Sequence, residues 1–243
     1  MSLGPILVSG GGGVTDPFQA DVVFTALFQG PDATNTGIVD LTGSHSLTLS
    51  GTPLLTSATK SFGKSSLALN GSSQYMTAAN SADFHTTASG FTFDGIVRRN
   101  GTPISGQFFT IAQLLDSGVT QSFAININTN GQFGVALGGS SNGDISGSTT
   151  NRGAIADTTF THFALVHDPG VEYRFYVGGS LTSTIRSATA FADGDGTLYL
   201  GASSGAFWFP GHFQALRVTQ NVRYTGSSYT VPGFADYVAS AFV

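Results

Sequence analysis

The chain has no cysteine. Disulfide staples and thiolate nucleophiles are therefore excluded, and the absence carries no information on redox compartment. Glutamate is almost as scarce, with Glu172 the only one. Charged residues make up 9% of the 243 positions, against about 25% in an average soluble domain, so the surface must be built from Ser, Thr, Asn and Gly. The nine Lys and Arg residues are scattered and the formal net charge is −5. No basic patch is available for a phosphate backbone or an anionic bilayer, which argues against nucleic-acid and membrane partners. No stretch of ten residues shows an apolar period of 3.6, so long amphipathic helices are not expected. The apolar run nearest the N-terminus is only Ile6, Leu7 and Val8. That is too short for a signal-peptide core or a membrane span, and neither export by a signal peptide nor insertion is expected.

What is present is aromatic and β-branched. Twenty Phe, seven Tyr and a hydrophobic fraction of 40% supply enough apolar material for one large β domain of this length. The clearest element is a hairpin. Residues 161–168 and 172–177 are rich in strand formers, with Phe163 and Leu165 on one face and Ala164 and Val166 on the other. Between them, Asp168-Pro169-Gly170-Val171 carries the fixed φ and the positive-φ residue of a reversal. Because both faces are apolar, this hairpin belongs inside a sheet covered on both sides. Short strands are also expected at 21–28, 47–49, 66–69, 75–78, 91–97, 108–115, 122–128, 132–137, 197–200 and 212–219, with turn signals roughly every 8 to 12 residues. Thr129-Asn130-Gly131 joins one pair of them. The pattern predicts an all-β antiparallel two-sheet jelly-roll sandwich. Residues 1–17, with glycines 10–13, read as a flexible arm, 18–232 as the domain and 233–243 as a C-terminal tail in coil.

Four ordered blocks carry a family resemblance. Ser61-Phe62-Gly63-Lys64-Ser65-Ser66-Leu67 through Gly71, the run from Asp83 to Phe93, the hairpin itself with Phe160 and Gly178 at its ends, and Phe213 to Thr219 followed by Val222-Arg223-Tyr224-Thr225 resemble concanavalin A-like, laminin-G-like jelly-roll domains. The Arg-Tyr-Thr ending is similar to the variety found in tailed-bacteriophage virion proteins. The resemblance implies a lectin-like fold, a place on the virion surface, synthesis in the host cytoplasm, and other virion proteins as partners of a multi-copy or homo-oligomeric protein. Related domains often hold calcium, but Gln29, Gln214 and Ala215 stand where acidic residues are common, and Asn70 and Gln74 are also amides. Neutral amides make poor calcium ligands, so calcium is not expected; Asp193 and Asp195 are the best residual acidic pair, with turn formation as their other reading. The glucanase branch of the fold needs paired carboxylates around the scissile bond. A chain with one glutamate lacks the Glu-rich cluster of the resembling enzymes, and no Gly-x-Ser-x-Gly elbow or His-rich metal spacing is present. His162 and His167 fall on opposite faces of a strand and read as structural.

Binding is the better match. Sugar recognition needs an aromatic face together with amides and hydroxyls. Trp208, the only tryptophan, lies between glycines in residues 205–211, and the polar loop 138–153 bears Asn142, Asp144, Asn151 and Arg152. Trp208 could equally be an inward core aromatic and the polar loop a solvated connector; Tyr75 is a further candidate at a position that usually packs inward in the resembling domains. The expectation is a non-catalytic virion decoration, fibre or adhesin domain that binds bacterial surface or environmental glycans. Two alternatives stay open: a purely structural coat or linker, and a secreted bacterial polysaccharide-binding module. Ile6 to Val8 could add to a sheet edge of a neighbouring copy.

Overall fold

A computed structural model describes residues 16–104, 107–115, 121–137, 152–186 and 196–239, and the structural statements below concern these residues. Two antiparallel sheets face each other, as the strand pattern predicts. Sheet A contains β1 (Val22–Leu27), β3 (Leu54–Thr56), β4 (Ser66–Asn70), β6 (Phe91–Arg99), β10 (Thr161–Asp168), β11 (Glu172–Val177), β12 (Ser180–Ile185) and β14 (Pro210–Thr219). Sheet B contains β2 (Leu47–Ser50), β5 (Tyr75–Ala78), β7 (Phe109–Leu115), β8 (Gln121–Ile127), β9 (Phe133–Leu137) and β13 (Leu198–Leu200). Their order is β12-β11-β10-β6-β14-β4-β3, with β1 also paired to β14, and β2-β5-β13-β7-β8-β9. Phe24, Phe91, Phe93, Phe123, Phe133, Phe163, Phe175 and Phe213 fill the space between the sheets. Each comes from the inward half of a strand's alternation.

The β10–β11 hairpin is placed as its sequence requires. Asp168 faces Glu172 across three loop residues, Val171 N–H donates to Asp168 O at 3.1 Å, and Gly170 takes φ +74°. β10 is buried on both faces: Phe163 and Leu165 enter the inter-sheet core, while Ala164 and Val166 face outward under Tyr176, Leu181, Val222, Tyr224 and Tyr229.

That outer cover departs from the expected coil. Residues after β14 fold back over sheet A, and Phe234–Ala239 forms a short helix, α1, that inserts Tyr237 against Leu27, Ile96 and Ala215. The strap closes over a polar cluster built by register. β14 and β6 pair so that Arg217 lies opposite Asp94, and both side chains are wholly enclosed. Arg217 donates from Nε to Asp94 Oδ1 at 3.0 Å and from Nη2 to Oδ2 at 2.7 Å. Tyr224 Oη donates to Oδ2 at 2.9 Å, and His162 Nε2 lies 3.2 Å from it. Burial alone would raise the Asp94 pKa, but the Arg217 charge and the donors from His162 and Arg217 overcome it and hold the carboxyl well below its ordinary range. His162 is itself pushed down by burial. A neutral imidazole donating from Nε2 to Asp94 and accepting the Tyr229 hydroxyl at Nδ1, 2.9 Å away, satisfies every group. Tyr224 and Tyr229 stack at 3.7 Å with an 8° interplanar angle.

The N-terminal boundary also bears on the strap. Asp16 accepts from Arg223 Nη2 at 2.8 Å, and the Arg223 guanidinium sits 5.1 Å from the Phe18 ring centre, so these residues are bound into the fold. No described helix is long and apolar enough to cross a membrane.

Removing one partner of an enclosed ion pair leaves the other charge uncompensated, so Asp94→Ala is expected to cost about 3–5 kcal/mol in chemical denaturation. The pH dependence has a definite sign. His162, His167 and His212 are all lowered by burial, His212 to about 4. The unfolded chain therefore binds more protons below about pH 6.5, and stability falls from pH 7 to pH 5. His162, fully enclosed, contributes up to about 1.4 kcal/mol per pH unit of that slope. Asp94 adds a further loss only once the pH drops through the unfolded carboxylate range. Urea midpoints across this pH series, in wild type and His162→Gln, measure both components.

Candidate functional site

The two sheets divide the charge between them. Sheet A carries Asp94, Arg98, Arg99, His162, His167, Asp168, Glu172, Arg174, His212 and Arg217 in its strands. The six strands of sheet B contain no Asp, Glu, Lys, Arg or His. The outer face of sheet A is closed by the strap, whereas part of the outer face of sheet B is open. On β5 and β13, Met76, Ala78, Leu198 and Leu200 point to the core, so Tyr75, Thr77 and Tyr199 point outward, each half-buried. Register sets Tyr199 between Thr77 and Gln113, and Thr48, which is exposed, beyond Thr77. The Tyr75 and Tyr199 rings are 5.9 Å apart.

Next to them lies residues 201–209. Ser203 and Ala206 exchange backbone hydrogen bonds of 2.7 and 2.8 Å, closing a two-residue turn at Ser204 and Gly205 with φ of +48° and +78°, the geometry of a type I′ hairpin. A β-carbon on Gly205 would stand 3.7 Å from the Tyr75 hydroxyl. Phe207 then holds φ +50°, a strained value for a bulky residue. Its carbonyl accepts the Thr110 N–H at 2.9 Å, and its ring stacks on Phe108 at 4.2 Å. Beyond that pair, Thr110 and Asn126 face each other across β7 and β8. They are 0% and 3% exposed, yet Thr110 Oγ1 and Asn126 Oδ1 have no hydrogen-bond partner. Two neighbouring buried oxygens without donors are a cost that native folds rarely retain without a use.

The sequence-selected residues distribute unevenly. Tyr75 stands on the open face with Tyr199. Trp208 is half-buried beside the strained Phe207, and its shielded Nε1–H finds no acceptor. Arg152 is 1% exposed, with its guanidinium 4.4 Å from the Phe175 ring centre. Asn142, Asp144, Asn151, Asp193 and Asp195 lie outside the described residues. Tyr199, Phe108, Phe207, Thr110 and Asn126 were missed, because single aromatics in short strands show no pattern until sheet order brings them together.

The calcium that the family resemblance implies does not fit the donors present. Gln29 Nε2 and Gln214 Nε2 both donate to Ser65 O, at 2.9 and 2.7 Å. Their oxygens are fixed the other way round by backbone donors, Lys64 N–H at 2.5 Å for Gln29 and Ser61 N–H at 2.7 Å for Gln214. The shared carbonyl thus meets two N–H donors where a cation would need oxygen lone pairs. Gly63 is required for this closure, since a β-carbon there would fall 2.2 Å from Gln29 Oε1 at φ +64°. Among the described residues no three His, Asp or Glu side chains gather around a metal position.

Two carboxylates, Asp16 and Asp236, do line one cleft on the sheet A side. Asp16 is ion-paired to Arg223 at 2.8 Å and Asp236 Oδ2 accepts Gly233 N–H at 2.6 Å. Glycoside hydrolysis needs one protonated and one ionised carboxyl across a sugar-chain groove, and this arrangement supplies neither the free acid nor the groove.

Residues 70–224, more than half of the chain, match the model of a laminin-G-type family described as the Concanavalin A-like lectin/glucanases superfamily. The chain belongs to that superfamily. Among curated proteins none matches at the sequence level. Solved structures share the fold at low identity. A botulinum neurotoxin type C structure aligns with TM-score 0.62 and 10% identity over 84% of this chain and 49% of that one; passage of that toxin into cells depends upon interaction with two ganglioside molecules. Domain 4 of AbnA, an extracellular arabinanase from Geobacillus stearothermophilus solved with arabinotriose, aligns with TM-score 0.57 and 15% identity over 91% of this chain and 98% of that one. A Trypanosoma rangeli sialidase aligns with TM-score 0.57 and 12% identity over 91% and 32%. The chain spans about half the neurotoxin's aligned chain and nearly all of the arabinanase domain.

Gln214→Glu in this lectin-type fold replaces an N–H donor with an oxygen facing Ser65 O. It is expected to lower stability by about 1–3 kcal/mol, while exchanging EDTA for calcium chloride leaves the wild-type melting temperature unchanged. Calorimetry of both proteins in both buffers checks the pair of statements.

Proposed function

We propose that the chain is a non-catalytic carbohydrate-binding domain that presents the outer face of sheet B to a neutral glycan. The observation that carries this reading is the composition of that face: two partly exposed tyrosines, Tyr75 and Tyr199, 5.9 Å apart, with Thr77 and Thr48 beside them, in a sheet whose strands carry no Asp, Glu, Lys, Arg or His. Tyrosine rings cover the C–H face of a sugar ring, and the outward hydroxyls of Thr77 and Thr48 can pair with its hydroxyl groups. The arabinanase domain solved with arabinotriose, on which this chain aligns over nearly its whole length, supports a polysaccharide ligand.

The biological setting belongs to the same proposal. The Val222-Arg223-Tyr224-Thr225 motif, similar to the variety found in tailed-bacteriophage virion proteins, supports a multi-copy protein on the surface of a tailed-bacteriophage particle, where glycan binding would serve attachment. Residues 1–15, with Ile6 to Val8, lie outside the described residues; assembly through them is tested by deleting 1–15, which spares Asp16, and measuring oligomeric state.

The functional test is a glycan array followed by titration. Tyr75→Ala with Tyr199→Ala is expected to weaken binding by about 10-fold or more, since stacking of this kind is worth about 0.5–1.5 kcal/mol per ring beyond the buried area. Thr110→Val is expected to raise the melting temperature, because it deletes an enclosed oxygen that has no donor. Because the face is uncharged, affinity should not change between low and physiological salt. A wild-type protein that binds no glycan would leave the purely structural coat role as the reading.

A further inference from the structure

The cleft lined by Asp16 and Asp236 lies on the opposite side of the sandwich from the tyrosine face, where the strap crosses the N-terminal end of the described chain. It is a half-open cleft of about 230 Å³. Pro17, Phe18, Val231 and Pro232 make apolar walls, and Arg223, Tyr224 and Asp236 bring polar edges. Val231 is 39% exposed at its rim.

The Arg223 side chain is only 8% exposed. Its Nη2 donates to Asp16 at 2.8 Å and its Nη1 to Thr219 Oγ1 at 3.3 Å, but its Nε–H has no acceptor. A guanidinium enclosed to this degree with one N–H unspent is expensive. None of the strap's internal contacts uses it.

The charge balance limits what can enter. Asp16 and Asp236 stand beside Arg217 and Arg223, and Asp94 lies behind Arg217. Three carboxylates face two guanidinium groups, so an anion gains nothing by entering. The apolar walls exclude a small hydrated cation. A compact neutral ring with hydroxyls at its edge meets both requirements: its C–H face packs on Pro17, Phe18 and Val231, its hydroxyl or ring oxygens accept from Arg223, and its hydroxyl hydrogens donate to Asp236. The volume lies below the range of about 300–1,000 Å³ usual for drug-sized ligands, which admits one ring and not a chain.

We infer that this cleft is a second sugar site, taking a single neutral monosaccharide unit, such as the end of a glycan chain, independently of the outer face of sheet B. The two sites would be of different kinds. Sheet B offers an open platform along a strand face; the cleft offers a socket for one residue. Two sites on opposite faces of one domain would let each copy bridge separate chains, so that avidity could arise without any change in either site.

The test uses the full chain with D-glucose, D-galactose, D-mannose and L-arabinose as probes in saturation-transfer NMR, and D-glucuronate as the anionic comparison. At least one neutral sugar is expected to bind, and glucuronate to bind more weakly. Val231→Trp fills the cleft from its rim and should weaken that sugar about 10-fold or more, with an unchanged melting temperature to show that the fold is intact. Arg223→Lys keeps the positive charge beside Asp16 and removes the Nε donor, and should also reduce binding. Tyr75→Ala with Tyr199→Ala should leave it unaltered. The inference is overturned if none of the four sugars binds, if Val231→Trp binds like wild type, or if only the tyrosine variant loses binding, since the sugar would then sit on sheet B. Array binding that Val231→Trp abolishes and the tyrosine variant keeps would sink the sheet B reading and leave this site standing, whereas a wild-type chain that binds neither arrayed glycans nor the four free sugars sinks both.

Discussion

The Asp94–Arg217 pair is the constraint on which the arrangement depends. It joins β6 to β14 at the centre of sheet A, and it is tolerable there only because its surroundings supply donors: Tyr224 and, at 3.5 Å, the Tyr237 hydroxyl from the covering segment, and His162 from the neighbouring strand β10. A charge pair buried without such donors would destabilise the sheet. The strap is therefore part of the domain's energetics. Burial, then the Asp94 charge, keeps the tyrosine hydroxyls protonated well above their ordinary range, so they remain donors at any physiological pH. One side of the sandwich is committed to holding the C-terminal segment, and the proposed platform for a glycan lies on the other.

Sheet B is suited to that role by what it omits. An uncharged outer face has little attraction for ions and little long-range steering, so recognition has to come from contact: ring stacking and hydrogen bonds of fixed direction. The strained turn serves the same end. Ser204, Gly205 and Phe207 all hold positive φ, and the result is that the Phe207 carbonyl meets Thr110 while the hairpin tip reaches the Tyr75 hydroxyl. Backbone strain of this kind persists where the surroundings over-determine it. Here those surroundings are the core anchor Phe209, which donates from its N–H to Gly201 O at 2.9 Å, and the Phe108 stack.

The strands that sequence made legible are those with strong local patterns. Thr161–Asp168, Glu172–Val177 and Tyr75–Ala78 fall where β-branched and aromatic residues alternate between turn residues. β3 and β12 escaped notice for opposite reasons. Leu54–Thr56 is three residues long after Pro53, and Ser180–Ile185 alternates only small polar groups with Leu181 and Ile185 at an edge. α1 is six residues long, too short to display a helical period, and its existence depends on Tyr237 finding the Arg217 face. The site was less legible than the fold. Tyr75 could be singled out, but its partner Tyr199 comes from a three-residue strand more than a hundred positions later, and only the order β5-β13-β7 unites them. Arg152 looked like a loop cation because sequence cannot reveal that Phe175 will lie beneath it.

The unpartnered atoms beside the two proposed sites include both donors and acceptors. Thr110 Oγ1 and Asn126 Oδ1, enclosed under the outer face of sheet B, lack donors, while the Trp208 Nε1–H beside Phe207 lacks an acceptor. In the cleft the deficit is an acceptor for Arg223 Nε–H. A sugar carries hydroxyl groups that both donate and accept, and it is among the few neutral ligands able to answer both deficits with one functional group. The polarity of the missing partners, more than the fold, favours a hydroxyl-rich ligand.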